Sequence, residues 1–573
     1  MTRRDDAVVG VLVVLLAIIV AVVALPAAGS PAESAPPSGS LASRPYREGI
    51  VGRPTSISPL SARNQADRDL VALIFSGLVR LGPEGGFAPD LAATWTTADD
   101  GRSWTFDLRD DATWHDGTPV TAADVVFTIE TLRHPDYSGP GSFSWEAVSA
   151  NAVDERTVRF ELEDPLAGFL HALTQPIAPV HLLGDVPVGA LADAPFGRSP
   201  IGSGPFALVT LDDRRAILAP AVTVTLPDAP GNAAPPATDA FATDAPTAPP
   251  TRPVPSLPGI EIRFHDTSTA LEAAFDAGQL DAATGLDPGA AAELGALDGN
   301  RLFRYPGSRL TAVLFNLRPS TPTFRDAAVR RALLQAIDRD AIVRDVHHGL
   351  AARADGPIPP ASWAFSVGAA APVSPDPSGA AAGLTAAGWT RNDDGWALPN
   401  GGEAVEFELL SPNEASNSVV HAVAREVAMD WRSLGLTVTH VALPAGTLTG
   451  ERLRTGEFSA AVLDVNIGLD PDLYPLLAST QATTRGLNLA GVQDAALDGL
   501  LVAARQPGEL DARREAYRAL QAYLTERQYL LPVAFPDVVV VARDTLQGPT
   551  THQVSDPRDR YWDVLTWRLA NGR

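Results

Sequence analysis

The stretch Pro89 to Leu132, PDLAATWTTADDGRSWTFDLRDDATWHDGTPVTAADVVFTIETL, constrains the fold more than any other. Trp104, Phe106 and Leu108 alternate with Thr105 and Asp107, the period of a strand. Asp99-Asp100-Gly101 is a turn sequence, so Thr94 to Thr97 is expected to pair back as a hairpin. His115-Asp116-Gly117-Thr118-Pro119 is a second turn. Thr121 then stands as the N-cap of a helix, with Asp124 three residues on in the capping-box place. Val125, Val126, Ile129 and Leu132 give that helix one apolar face.

These residues closely resemble the bacterial extracellular solute-binding proteins of family 5, the peptide- and nickel-binding receptors of ABC importers. The resemblance rests on Leu108, Arg109, Asp116, Gly117, Pro119, Thr121, Ala122, Asp124 and Val125. It continues in Val153 to Leu162, in Pro200-Ile201-Gly202-Ser203-Gly204-Pro205-Phe206, and in the helix after Phe324. There Asp326, Val329, Arg330, Ala332, Leu333, Ala336, Ile337, Asp338 and Arg339 match the family pattern. The resemblance covers Tyr46 to Trp567, apart from Ala219 to Leu257. It implies an α/β, two-lobed, type II periplasmic-binding-protein-like fold with an extra subdomain in the first lobe.

A chain of 573 residues is too long for one core, which also asks for two or more lobes. The formal net charge of −24 argues against nucleic acid as a partner. There is no Cys, which excludes disulfides, thiol catalysis and Cys-ligated metal. It also excludes the lipid-modified cysteine by which many family members are tethered. Arg3-Arg4 precede an uncharged apolar run from Ala7 to Leu25. As a helix that run would reach about 28 Å, the depth of a bilayer core. A membrane anchor is therefore expected over 1–28, with a cleaved signal peptide as the alternative. The arginines place the N-terminus inside and the rest outside the membrane.

Residues 29–45 are rich in Ser, Pro, Ala and Gly and read as a flexible linker. A first lobe is expected over 46–304, with a disordered, Pro- and Asp-rich insertion over 219–257. Ile260–Phe264, a helix over Leu271–Ala277 and Leu280–Ala283 make a strand–helix–strand unit, hence a parallel pair with a right-handed crossover. A second lobe is expected over 305–529, with strands at Leu310–Leu317, Val405–Leu410, Leu436–Val441 and Phe458–Val465. The chain is then expected to return to the first lobe over 530–573.

No catalytic constellation stands out: there is no H-E-x-x-H, no phosphate-cradling loop and no dinucleotide fingerprint. Ser203 lacks the five-residue elbow of a nucleophile. His347-His348 point about 100° apart on a helix and make no joint metal site. The expectation is a receptor with no cofactor, monomeric, working with ABC permease subunits on a peptide or similar small solute. The alternatives are a membrane-tethered sensor or scavenger without a permease, and an enzyme reusing the scaffold.

Asp464-Val465-Asn466-Ile467-Gly468-Leu469-Asp470-Pro471-Asp472 follows a strand end, the edge where ligands enter open α/β sheets. In peptide-binding relatives an acidic residue of this region receives the terminal ammonium. The resemblance thus offers Asp464, Asp470 and Asp472 for that role without choosing among them, and Asn466 for the peptide backbone; Asp470 is the one to test by substitution. Trp363, Arg485 and Asn488 join them by proximity to family-like segments. An acidic surface loop with Asp470-Pro471 as a plain turn is the other reading.

Overall fold

Tyr46–Val51 is the central strand of a seven-stranded sheet, although Arg, Glu and Gly interrupt its apolar residues. It runs parallel to Ile260–His265 on one side and to Ala282–Thr284 on the other. The strand–helix–strand unit is therefore parallel, as its sequence implies, but its two strands are not neighbours: the first strand of the lobe lies between them. Arg215–Pro220 and Phe206–Leu211 extend the sheet at one edge; Val538–Arg543 and Asn300–Tyr305 extend it at the other.

The computed structural model describes residues 44–82, 86–98, 100–141, 145–221, 252–393, 395–400 and 402–570. Pro45–Arg573 forms one compact unit. The expected anchor Ala7–Leu25 lies outside the described residues, as does the expected linker up to residue 43. Among the described residues no helix is long and apolar enough to cross a membrane.

The opening stretch folds as its periodicity predicts. Ala92–Thr97 and Ser103–Leu108 pair antiparallel and join Thr157–Leu162 and Val148–Ala152 in a separate four-stranded sheet. This is the extra subdomain of the first lobe. Helix Ala122–Arg133 begins where the Thr121 N–H donates to Asp124 Oδ2 at 2.8 Å. The other Asp124 oxygen accepts from Val180 N at 2.9 Å, so the motif aspartate fastens two segments and is structural. Gly202 and Gly204 are needed because a Cβ on either would collide with the Ile74 backbone.

The second sheet has six strands in the order Ala351–Arg353, Leu530–Pro536, Arg309–Phe315, Ala460–Asn466, Glu406–Pro412, Thr437–Leu443. Helix Ser418–Ser433 joins the last two, which are parallel; it buries Val420, Val423, Val427 and Trp431, a 3.6-residue stripe. Separate hydrophobic clusters fill the two lobes.

The chain crosses between the sheets twice. The first crossing is Pro306–Ser308. The second is Asp537, because Leu530–Pro536 pairs with Arg309–Phe315 in the second sheet. The return thus starts after Pro536 and not at residue 530. The two crossings touch: a Cβ on Gly307 would collide with the Pro536 carbonyl.

Both described ends of the expected insertion over 219–257 are built into the fold. Ala219 and Pro220 end a paired strand, and Leu257 is buried in the core. Arg252 donates to Ser203 O, Ser76 Oγ and Asp90 Oδ1 at 2.6–2.8 Å. Ionic contacts hold a segment whose low hydrophobicity predicts disorder; residues 222–251 lie outside the described set.

Candidate functional site

A cavity of about 1000 Å³ lies between the lobes. One wall comes from the first lobe, chiefly Trp145–Val148 and Leu162–Gln175. The other comes from the second lobe, chiefly Asn466–Pro475 and Thr480–Gly486. Ser555, Arg558 and Asp559 close one side. The second-lobe wall starts where strand Ala460–Asn466 ends, as expected for an open α/β sheet.

Four of the seven residues expected at the site line this cavity: Asn466, Asp470, Asp472 and Arg485. Asn466 Oδ1 accepts from Gly468 N at 3.1 Å and from Ser308 Oγ at 3.3 Å. The second bond ties the wall to the first crossing. Gly468 has φ +82°, so the turn after Asn466 favours a glycine. Arg485 is exposed on the wall.

The three aspartates are each engaged by the chain. Asp464 accepts from Thr311 Oγ1 at 2.6 Å and from Asn417 Nδ2 at 3.4 Å. Burial pushes its carboxyl above the ordinary range against the pull of Thr311. Asp470 faces Arg513, whose Nη2 lies 2.8 and 2.9 Å from its two oxygens, and Tyr517 donates at 3.3 Å. Asp472 accepts from Arg505 at 3.0 Å and from Tyr474 N at 3.0 Å. Burial raises its carboxyl too, with Arg505 opposing. Asp470, one of the three carboxylates offered for an ammonium, is thus already paired with a buried guanidinium.

Trp363, Asn488 and Asp464 stand off the cavity. Trp363 packs edge-on to Tyr517 and lies under the Arg513 guanidinium at 4.5 Å, so it supports the Asp470 pair from behind. Asn488 is buried and its amide is spent on the chain. It donates to Leu477, Ala478 and Val492 carbonyls and accepts from Val492 N.

Sequence reasoning missed the first-lobe wall. Trp145 and His171 lie there with no motif around them. Both ring nitrogens of His171 are shielded from water and lack hydrogen-bond partners among the described residues; burial lowers its pKa, with Asp470 opposing. Several contacts join the walls. The Ala167 N–H donates to the Arg505 carbonyl at 3.1 Å, and Leu469 of the second lobe packs into the first-lobe core. Among the described residues no cluster of three or more His, Asp or Glu side chains could hold a metal ion.

Comparison with known proteins decides the family. Residues 86–486 match the model of the bacterial extracellular solute-binding proteins, family 5, middle. The chain belongs to this family. Protein XP55 of Streptomyces lividans is 29% identical, over 92% of this chain and 90% of that one. The oligopeptide-binding protein AppA of Bacillus subtilis is 25% identical, over 91% of each. The structure of that AppA with a nonapeptide superimposes with TM-score 0.71 at 23% identity, covering 92% of this chain and all of that one. NikZ of Campylobacter jejuni, solved with Ni(L-His), gives 0.70 at 24% identity over 91% and 99%. The two-lobed, type II fold implied by the motifs is therefore the fold of the chain. Its role is that of a solute-binding receptor of the ABC-importer class. Proteins of this family work outside the cytoplasm, and they are binding proteins.

Proposed function

We propose that the chain captures a peptide, or a solute of similar size, in the interlobe cavity and passes it to ABC permease subunits. The cavity carries this reading. At about 1000 Å³ it stands at the top of the ordinary range for ligand pockets, roughly 300–1,000 Å³. Its walls mix apolar surface from Trp145, Leu469 and Tyr474 with the amides of Gln175, Asn466 and Gln481. That mixture suits a backbone of alternating donors and acceptors. The relatives named for oligopeptide and dipeptide binding support the same class.

The crossings at Pro306–Ser308 and Asp537 would serve as the hinge between first lobe, second lobe and C-terminal return. Asn466 and Arg485 are the residues of the original set best placed to touch solute. Asp470 and Asp472 shape the wall through their arginines. The protein acts as a monomer, without nucleic acid and without catalysis, held at the outer membrane face by Ala7–Leu25.

Mass spectrometry of solute released from the purified full-length chain tests this. A peptide is expected, and calorimetry should show that it rebinds. Retention of no small molecule, with no heat from a panel of di- to nonapeptides, would reject the peptide reading. Turnover of a bound peptide would reject the absence of catalysis.

A further inference from the structure

A second cavity, of about 200 Å³, lies within the first lobe. It shares Leu81, Thr174, Arg558 and Asp559 with the large one, so the two have a common wall. Four arginines line it, Arg80, Arg109, Arg252 and Arg558, against two carboxylates, Asp90 and Asp559.

Most of this charge is spoken for. Asp90 is held by Arg252 at 2.8 Å. Arg109 is held by Asp111, outside the lining, at 2.8 and 3.1 Å. Asp559 accepts from Ser555 N and Oγ and from Asp556 N, at 2.9–3.0 Å. Arg558 Nε stands 3.8 Å from Asp559 Oδ1, beyond hydrogen-bond reach.

Arg80 is different. It lies in the hairpin of Val79–Leu81 with Phe87–Pro89, opposite Ala88. Val79 and Leu81 are buried and Arg80 between them is half-buried; all three line the cavity. No hydrogen bond or ion pair reaches its guanidinium among the described residues. Burial lowers its pKa, with Asp90 opposing and Arg252 adding to the fall. A guanidinium that merely anchored its hairpin would bond to the chain. A half-buried cation that lines a cavity and has no hydrogen-bond or ion-pair partner there is placed to receive an anion.

We propose that this chamber is an oxyanion site that takes a carboxylate or phosphoryl group between Arg80 and Arg558. The planar, forked guanidinium suits that geometry. Where the anion is the end of the captured solute, the proposal rests on the solute-capture reading. A free anion would engage the same two groups.

The test uses the full-length chain with inorganic phosphate, tetra-alanine and tetra-alanine C-terminal amide. Phosphate should raise the melting temperature of the wild type and leave Arg80→Met and Arg558→Met unmoved. Tetra-alanine should bind about tenfold tighter than its amide, a charge-assisted pair's worth, and Arg80→Met should erase that preference. Protection by phosphate alone identifies a free anion; preference for the acid identifies the solute's own carboxylate. Both support the site. Phosphate protection with neither peptide bound keeps the site and rejects the peptide reading. A wild type indifferent to phosphate and to amidation, or variants that respond as it does, overturns the site and leaves solute capture standing. The Arg80 side chain makes no hydrogen bond or ion pair among the described residues, so Arg80→Met should fold; Arg558→Met gives the same answer from the other side.

Discussion

Arg513, on helix Leu510–Arg527, places one nitrogen 2.8 and 2.9 Å from the two carboxylate oxygens of Asp470, and both side chains are buried. The pair sits against the first lobe beside Gly168 and His171. Asp470→Ala would strip a buried guanidinium of this carboxylate, a loss on the order of 3 kcal/mol in stability. Urea unfolding should show that loss before any solute is added. Asp470→Leu combined with Arg513→Met should recover most of it, since removing both charges avoids the uncompensated one. A fully stable Asp470→Ala that fails only with peptides bearing a free ammonium would restore Asp470 as the ammonium's partner.

Arg560 makes the corresponding tie in the first lobe. It is fully buried and bonds Glu48 of the first strand and Asp69 of helix Gln65–Ile74, at 2.7–3.0 Å. Tyr561 donates to Glu48 at 3.0 Å. The last stretch of chain thus fastens the first strand. Arg560→Met leaves two buried carboxylates facing each other, at about 3–5 kcal/mol. Glu48→Gln with Asp69→Asn in that background should restore part of it. Equal urea midpoints for Arg560→Met and wild type would show that the network contributes nothing.

His347 is 1% exposed and its Nε2 has no hydrogen-bond partner among the described residues. Burial, helped by His348, lowers its pKa from the ordinary 6.5 to about 4. The unfolded chain therefore takes up a proton below pH 6.5 that the folded chain refuses until about pH 4. Stability from this group is full above pH 6.5 and is lost as pH falls to 4, about 3 kcal/mol in all. His347→Leu should flatten that part of the stability–pH curve. Parallel curves for the two proteins over this window would refute the assignment.

What the sequence made legible follows from locality. The hairpin and helix of Ala92–Arg133 are written in alternation, turn residues and a cap within a few positions of one another. Tyr46–Val51 was not readable as a strand, because YREGIV shows no alternation. Its partners lie more than 200 residues away, and they bury Glu48 with Arg560. The second-lobe wall was legible because ligands gather at strand ends, and Asn466, Asp470 and Asp472 are there. The state of Asp470 was not, since Arg513 is 43 residues on and spacing cannot show which charges meet. Trp145 and His171 reach the cavity only because an antiparallel excursion folds back over it, and neither carries a local signal.

Gly168 offers the direct test of lobe closure. It belongs to the first lobe, and a Cβ there would stand 2.8 Å from Asp470 Oδ2 and 3.2 Å from Asp470 Cβ, across the cleft. An ordinary carboxylate would swing aside, but Asp470 is held by Arg513 and Tyr517. The backbone at Gly168, φ −78° and ψ 12°, suits any residue, so a substitution there strains the interface and not the local chain. Gly168→Val should therefore disfavour the closed arrangement by about 1–3 kcal/mol, the usual cost of overpacking. The lobes should separate, raising the radius of gyration in small-angle scattering. Release of solute from the cleft should quicken by about tenfold or more, as 1.4 kcal/mol implies. Gly168→Ala should show the same changes on a smaller scale. Asp470→Ala with Arg513→Met, which removes the carboxylate from that space, should relieve them. Scattering and release rates matching the wild type in Gly168→Val would mean that this contact does not govern closure.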